Sequence, residues 1–422
     1  MRALILRIWE LKKKILITTT TLPRWQGDTE PRFVLDLARH LADEFDPTVL
    51  APLYPGASAQ EIDGSVTIKR YRYAPIRSLE ILTNPGAIAG RVRDYPQLAL
   101  LVPFLIWGLS RAVANELASA HYDCVHAHWL LPQGTVQSRL RRKGSSPPFI
   151  LTSHGGDLGL LPNRLLEQAY RRVLRNAGAV TAVAPWIAHK LREINVELEA
   201  EEIPIIPMGA NLETFSPAKQ KENWRSRNNL KGTVVLFVGR LVEKKGVAHL
   251  IDAMATAEVR NTDATLAIIG DGPLKREFEA KVDRLNLRDR VKFLGPMGHD
   301  TLPEALASGD IFCVPSVLAK NGDIDGTPTV LFEAGASGLP LIGSDIAGIP
   351  TMVIPEKTGV LTIPGDTSSL AAAICLLVAD KAMRLRLGSE AQMHAKNFSW
   401  RRIAEQFAQV INRVTCDRVP SL

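Results

Sequence analysis

Short apolar runs alternate with amphipathic stretches along nearly all of this chain, and the alternation begins twice. That order predicts parallel sheets with helices on both faces, because each crossover between parallel strands must be a helix or a long connection. The first series predicts strands at 14–18, 122–126, 148–152, 179–183 and 203–206, joined by helices near 31–44, 132–142, 163–176 and 186–193. A polar segment, 211–232, carries no apolar period and reads as a linker. The pattern restarts at Thr233-Val234-Val235-Leu236-Phe237-Val238. From there it predicts strands at 264–269, 290–294, 310–314 and 339–343, with helices near 246–257, 274–285, 301–308 and 329–338. Three helices close the chain between 367 and 412. A length of 422 residues is too great for one ordinary core and fits two domains. The fold class is therefore α/β, with two similar doubly wound domains facing across a cleft. Ligands of such sheets bind beyond the carboxyl ends of the strands.

Composition narrows the partners. With 46% hydrophobic and 23% charged residues, the chain has the balance of a globular protein. A net charge of +7 favours anionic partners such as nucleotides or acidic lipid. The basic residues are scattered and not interleaved with aromatics, which argues against nucleic acid. Cys124, Cys313, Cys375 and Cys416 lie far apart without metal spacing and read as reduced thiols of a cytoplasmic protein. Residues 1–10 are too charged for a signal peptide, and they precede Lys12-Lys13-Lys14 as a basic extension. The longest apolar run, 98–109, is too short to span a bilayer; a buried helix is the favoured reading over an interfacial one.

The segments with chemical potential fall where strands end. Asp325-Gly326-Thr327-Pro328 precedes a helix with Glu333 inside it, so two carboxylates stand eight positions apart. A helix start binds phosphate through its unpaired N–H groups and positive dipole end. The alternative is a capped core helix with Glu333 on a solvated face. Gly239-Arg240-Leu241-Val242-Glu243-Lys244-Lys245-Gly246 leaves a buried strand. Its Arg240 fork and Lys245 point charge suit a diphosphate, or else form a solvated basic turn. Ile269-Gly270-Asp271-Gly272-Pro273 is glycine-rich but lacks the spacing of a dinucleotide loop and any Walker lysine.

In the first half, the loop Leu22-Pro23-Arg24-Trp25-Gln26-Gly27-Asp28 follows the first strand, and Gly27 permits close backbone approach. His126-Ala127-His128-Trp129 sets two histidines on one strand face, for packing or hydrogen bonding more than for a metal, since no third ligand is spaced with them. His154-Gly155-Gly156-Asp157 follows another strand, which suits a functional histidine or a loop-stabilising one.

Taken in order, the Gly27 loop, HxHW, HGGD, Ile206-Pro207-Met208-Gly209-Ala210-Asn211, the Arg240–Lys245 turn, IGDGP and the Asp325/Glu333 helix resemble the retaining glycosyltransferases of the GT-B fold, family 4 above all. The resemblance runs from Ile15 to Phe398-Ser399-Trp400. It implies an acceptor-binding Rossmann-like domain at 1–212, a nucleotide-sugar domain at 213–398, and a last helix at 399–422 that packs back on the first.

It further implies a UDP- or GDP-sugar donor. Arg240 and Lys245 would neutralise its diphosphate and Glu333 would bind its ribose. Asp325, Gly326, Thr327, Thr329 and Val330 would hold the sugar and phosphate, and Met297 would meet the base. Gly27 would close on the phosphate, His154 would line the sugar near the reacting carbon, and His128 and Asp157 are acceptor-side candidates. The family usually has glutamate where Asp325 stands, one methylene longer, and often glycine at Pro328, which has no N–H to give. No metal and no other cofactor are expected.

The implied activity is hexosyl transfer to a glycan or lipid-linked acceptor in cell-surface polysaccharide biosynthesis. A GT-B epimerase and a catalytically weak nucleotide-sugar-binding subunit are the alternatives. The arginines around the apolar stretch at 91–111 suggest attachment to an anionic membrane surface, on its cytoplasmic face.

Overall fold

The computed structural model describes residues 12–83, 88–156, 158, 164–195 and 203–416. The chain divides into two compact units. One holds Met1–Val183, Ile187–Ile206 and Arg401–Leu422; the other holds Ala184–Trp186 and Pro207–Trp400.

The first unit is built on seven strands: β1 (Lys14–Thr18), β2 (Asp46–Pro52), β3 (Gln60–Asp63), β4 (Val66–Tyr71), β5 (Cys124–His128), β6 (Phe149–Ser153) and β7 (Ala179–Ala182). Their spatial order is β3-β4-β2-β1-β5-β6-β7. All neighbours are parallel except β3 and β4. β1 is central, and Ile15, Leu16 and Ile17 have no exposed surface, as expected of an apolar strand covered on both faces. The chain runs outward from β1 on one side and then returns to build β5 on the other. That reversal opens a crevice at the carboxyl ends of β1 and β5. The loop carrying Gly27 follows β1, and Trp129 follows β5. The last helix, Trp400–Cys416, belongs to this unit from Arg401 on. Phe407 packs on the His126 ring at 5.1 Å, and Lys13 Nζ donates to Asn412 and Thr415 at 2.8 and 2.9 Å.

The second unit has six parallel strands: β8 (Val234–Val238), β9 (Thr265–Ile269), β10 (Val291–Gly295), β11 (Ile311–Val314), β12 (Leu341–Ser344) and β13 (Gly359–Thr362), in the order β10-β9-β8-β11-β12-β13. Strand alternation sends Val234 and Leu236 into one core layer and Val235 and Phe237 into the other. Helices cover both layers, so truncating a side chain such as Phe237 would cost about 3–5 kcal/mol. Here the order reverses between β8 and β11, and the loops that follow these two strands carry Arg240 and Asp325.

Four expectations need correcting. The polar segment 211–232 is not a linker: it forms a 3-10 turn (Pro217–Lys219) and a short helix (Trp224–Arg227), and it buries Phe215, Trp224 and Leu230 in the core of the second unit. No strand forms at 203–206; Ile205 makes only an isolated bridge to Ala182, because Pro204 and Pro207 bracket it without N–H donors. β2, β3, β4 and β13 were not anticipated; prolines at both ends disguise β2, and Thr67, Lys69 and Arg70 interrupt the apolar run of β4. Finally, the apolar run at 98–109 is not a buried helix. It spans a 3-10 turn (Pro96–Leu101) and the helix Val102–Ser119, together 24 residues and by length and composition enough to cross a membrane, contrary to the expected shortness; only a third (33%) of its most apolar window is buried.

Candidate active site

In the second unit, Val238 ends β8 and the chain turns at Gly239 into Arg240. Lys245 closes a short 3-10 turn, Glu243–Lys245, and Gly246 then adopts φ 68° to start the helix Val247–Ala255. A Cβ at Gly246 would lie 1.7 Å from the carbonyl oxygen of Pro315, the residue after β11. Only glycine allows this contact, which presses the lysine turn against the end of β11.

Asp325 arrives from the β11 side and is buried. Lys245 Nζ lies 2.7 Å from its Oδ2, Lys244 Nζ lies 3.8 Å from its Oδ1, and Ser316 Oγ donates to Oδ2 at 3.2 Å. Lys244 also pairs with Asp323 at 3.1 Å. Burial alone would raise the Asp325 carboxyl. The two ammonium groups, with hydrogen bonds from Lys245 and Ser316, outweigh burial and hold it below the ordinary aspartate value. The two residues that the family resemblance assigns to diphosphate and to sugar are thus each other's partner. A lysine ammonium has three donors, and this pairing uses one.

Pro328 is the residue before the helix Thr329–Ala336, and no side chain caps that helix. Its first N–H groups, Thr329 and Val330 among them, are therefore presented as an anion site. The turn ahead of it is held from behind. Gly348 N donates to the Gly326 carbonyl at 2.9 Å, and a Cβ at Gly348 would meet Thr327 Oγ1 at 1.9 Å. Glu333 is buried inside the helix rather than on a solvated face. Met297 follows β10 and packs partly buried against the core. The glycines of IGDGP have a packing reason: Cβ atoms at Gly270 and Gly272 would strike the Gly239 and Leu241 carbonyls at 1.9 and 2.5 Å.

In the first unit, Gly27 has φ 78° with open space around it, so conformation and not crowding asks for glycine. The loop is rigid next to it. Arg24 grips the buried Asp28 through Nε–Oδ2 and Nη2–Oδ1 contacts of 2.8 and 2.5 Å. The same guanidinium lies over Trp25 and Tyr54, 4.5 and 4.8 Å from the ring centroids.

His126, His128 and His154 form one stack, with centroid separations of 4.3 and 5.2 Å. His126 Nε2 is 2.7 Å from Thr152 Oγ1, and His128 Nδ1 is 2.9 Å from His154 Nε2. Trp129 and Phe33 enclose His154 at 4.5 and 5.1 Å. Burial pushes the His126 ring down to about 3; burial, with repulsion from His126, takes His154 to the same value of about 3. Burial and the two neighbouring rings also drive His128 well down. All three are neutral at pH 7 and act as hydrogen-bonding groups, not cations. Among the described residues no group of three or more His, Cys, Asp or Glu has a metal-holding arrangement. Asp157 lies outside the described residues.

Sequence reasoning missed Lys244, Ser316, Arg24 and Gly348. Ser316 had a signal, since Pro315-Ser316 follows a buried strand at the same end of the sheet as Arg240. Gly348 had one too, in the Ala347-Gly348 pair after β12.

Residues 218–394 match the model of the glycosyl transferases group 1, and residues 31–214 match that of glycosyltransferase family 4. A D-inositol 3-phosphate glycosyltransferase of Corynebacterium glutamicum (strain R) is 31% identical, over 69% of this chain and 72% of the relative. The chain belongs to glycosyltransferase family 4. Solved structures agree on its GT-B fold. Sucrose-phosphate synthase from Thermosynechococcus elongatus superposes with a TM-score of 0.77 at 24% identity, covering 96% of this chain and 100% of that one. Anabaena HepE, solved in complex with UDP-glucose, gives 0.68 at 20% identity, covering 94% and 99%. This family 4 chain is a glycosyltransferase, and its charged turn and uncapped helix sit at the strand-order reversal of its second unit.

Proposed function

We propose that the second unit holds a UDP- or GDP-hexose and that the chain transfers the hexosyl group, with retention, to a hydroxyl of a glycan or glycolipid in cell-surface polysaccharide biosynthesis. One observation carries the reading: Lys244 and Lys245 meet Asp325 just ahead of the uncapped start of Thr329–Ala336, and Arg240 stands in the loop that leaves the neighbouring strand β8. The HepE complex with UDP-glucose supports this class of donor.

The chemistry follows from charge. As the bond between the anomeric carbon and the phosphate oxygen breaks, the sugar becomes oxocarbenium-like and the departing diphosphate gains negative charge. Lysine, arginine and a helix start stabilise that charge without a metal ion. The acceptor oxygen bonds to the anomeric carbon from the side the phosphate leaves, and its proton passes to the departing phosphate. Neutral His154 would hydrogen-bond a sugar hydroxyl. Glu333, buried in its helix, would accept from the ribose. The four free thiols fit a cytoplasmic enzyme.

Nucleoside diphosphate release, measured over a panel of UDP- and GDP-sugars in the presence of a chelator, tests the donor and the metal independence. Release from none of them overturns the reading. An NMR assignment of the product anomer tests retention. A second reading, a nucleotide-sugar-binding subunit without turnover, is favoured by the engagement of Asp325 with Lys245 and Ser316. It predicts binding of donor with no hydrolysis.

A further inference from the structure

The helix Val102–Ser119 and the 3-10 turn before it bury one side and leave the other bare. Leu98, Leu101, Leu105, Leu109 and Val113 are buried, while Leu100, Phe104, Ile106 and Trp107 are 75%, 45%, 38% and 59% exposed. Tyr95 adds a half-exposed ring at the start of the segment. A contiguous apolar face of this size on a folded unit marks a contact surface.

The surroundings carry one sign of charge. No acidic residue occurs from Tyr95 to Asn115 or from Leu130 to Lys143. Arg111, Arg139, Arg141, Arg142 and Lys143 are all exposed along the same two helices. An open groove of about 590 Å³ runs between the helices, lined by Val102, Pro103, Ile106, Trp107, Arg139 and Lys143 among others. Trp107 and Arg111 form its edge, with the guanidinium 5.6 Å from the indole centroid.

We propose that this face docks the chain on an anionic lipid bilayer. Aromatic rings at the apolar–polar boundary and cations beside them match the interfacial zone of a membrane. The helix lies on the surface and does not cross it, because its inner side is locked to the sheet. At Gly108 a Cβ would come within 2.8 Å of Tyr73 Cβ and 2.9 Å of the Arg72 carbonyl. A second copy of the chain is the poorer occupant, since it would set the same cluster of positive charges against itself. The arginines flagged in the sequence supply only part of the charge: Arg91 donates to the Ile81 carbonyl and lies over Tyr95, whereas Arg139, Arg142 and Lys143 come from the neighbouring helix.

The proposal stands apart from the donor reading and is tested without it. The full chain is floated with vesicles of phosphatidylcholine alone and of phosphatidylcholine with phosphatidylglycerol, at low and high salt. It is expected to float with the anionic vesicles at low salt only. Arg139→Gln and Lys143→Gln should each weaken partitioning roughly fivefold. Phe104→Ser with Trp107→Ser should abolish it while thermal unfolding and nucleotide release from a soluble donor stay unchanged. Equal binding to neutral vesicles, unaltered partitioning of the variants, or a dimer that the double serine variant dissolves would each overturn the proposal.

Discussion

Lys245 Nζ and Asp325 Oδ2 stand 2.7 Å apart, and both side chains are more than four-fifths buried, at 16% and 11% exposed. Removing one partner leaves the other as a buried charge, which costs about 3–5 kcal/mol. Lys245→Ala should therefore lower the midpoint of denaturant unfolding and, by weakening diphosphate stabilisation, cut turnover with every donor about 100-fold. Adding Asp325→Asn should recover much of the stability and none of the turnover. Urea unfolding and nucleotide release on these two variants and the parent chain separate the two roles.

Asp325→Glu keeps the charge and extends the carboxylate by one methylene toward the length usual in the family. The variant should stay folded, with its ion pair shifted, and should reorder the ranking of donor sugars rather than scale all rates equally. Competition among UDP- and GDP-sugars reads this directly; a uniform change would remove Asp325 from donor selection.

His128 Nε2 has no hydrogen-bond partner among the described residues, while its Nδ1 faces His154 Nε2. A bare ring nitrogen costs less buried than an orphaned N–H. The proton therefore belongs on His128 Nδ1, and His154 is left with Nδ1–H as a donor for a ligand hydroxyl. Nitrogen-15 NMR of the two rings checks this tautomer. His128→Phe keeps a stacked ring but loses the bond, and should slow turnover roughly fivefold by freeing the tautomer of His154.

The histidine stack sets an acid limit. All three rings are held neutral in the folded chain, His126 and His154 down to about 3, whereas unfolded histidines bind protons below ~6.5. Between those values the unfolded state binds more protons, so stability is full above ~6.5 and falls as pH drops toward 3. The slope should be close to three protons in this window. His126→Phe should make the decline shallower, as followed by unfolding midpoints across pH. Turnover should show no break near ~6.5 from His154, because that ring does not titrate there.

The parts that could be read from the sequence are those set by local pattern. Val234–Val238 is an uninterrupted apolar run rich in valine, and it forms β8 within one residue of the expected bounds. Asp46–Pro52 hides its strand because Pro47 and Pro52 mimic turn punctuation, while its other residues pair with β1 and β4. The segment 98–109 shows the limit of composition: hydropathy gives the helix but not which side is covered. In the site, Arg240, Lys245 and Asp325 were visible as residues at strand ends or helix starts, and Glu333 as the second carboxylate inside the helix that follows. The ion pair of Lys245 with Asp325 was not, since it depends on β11 lying beside β8, a long-range pairing that no local period encodes.

The last helix, Trp400–Cys416, completes the core built around β1, with Phe407 against His126 and Val414 against Gly178. The first unit therefore cannot close without a segment that lies beyond the whole of the second along the chain. Dividing the chain before Pro207 would carry that helix away with the second unit and leave His126 and Gly178 uncovered.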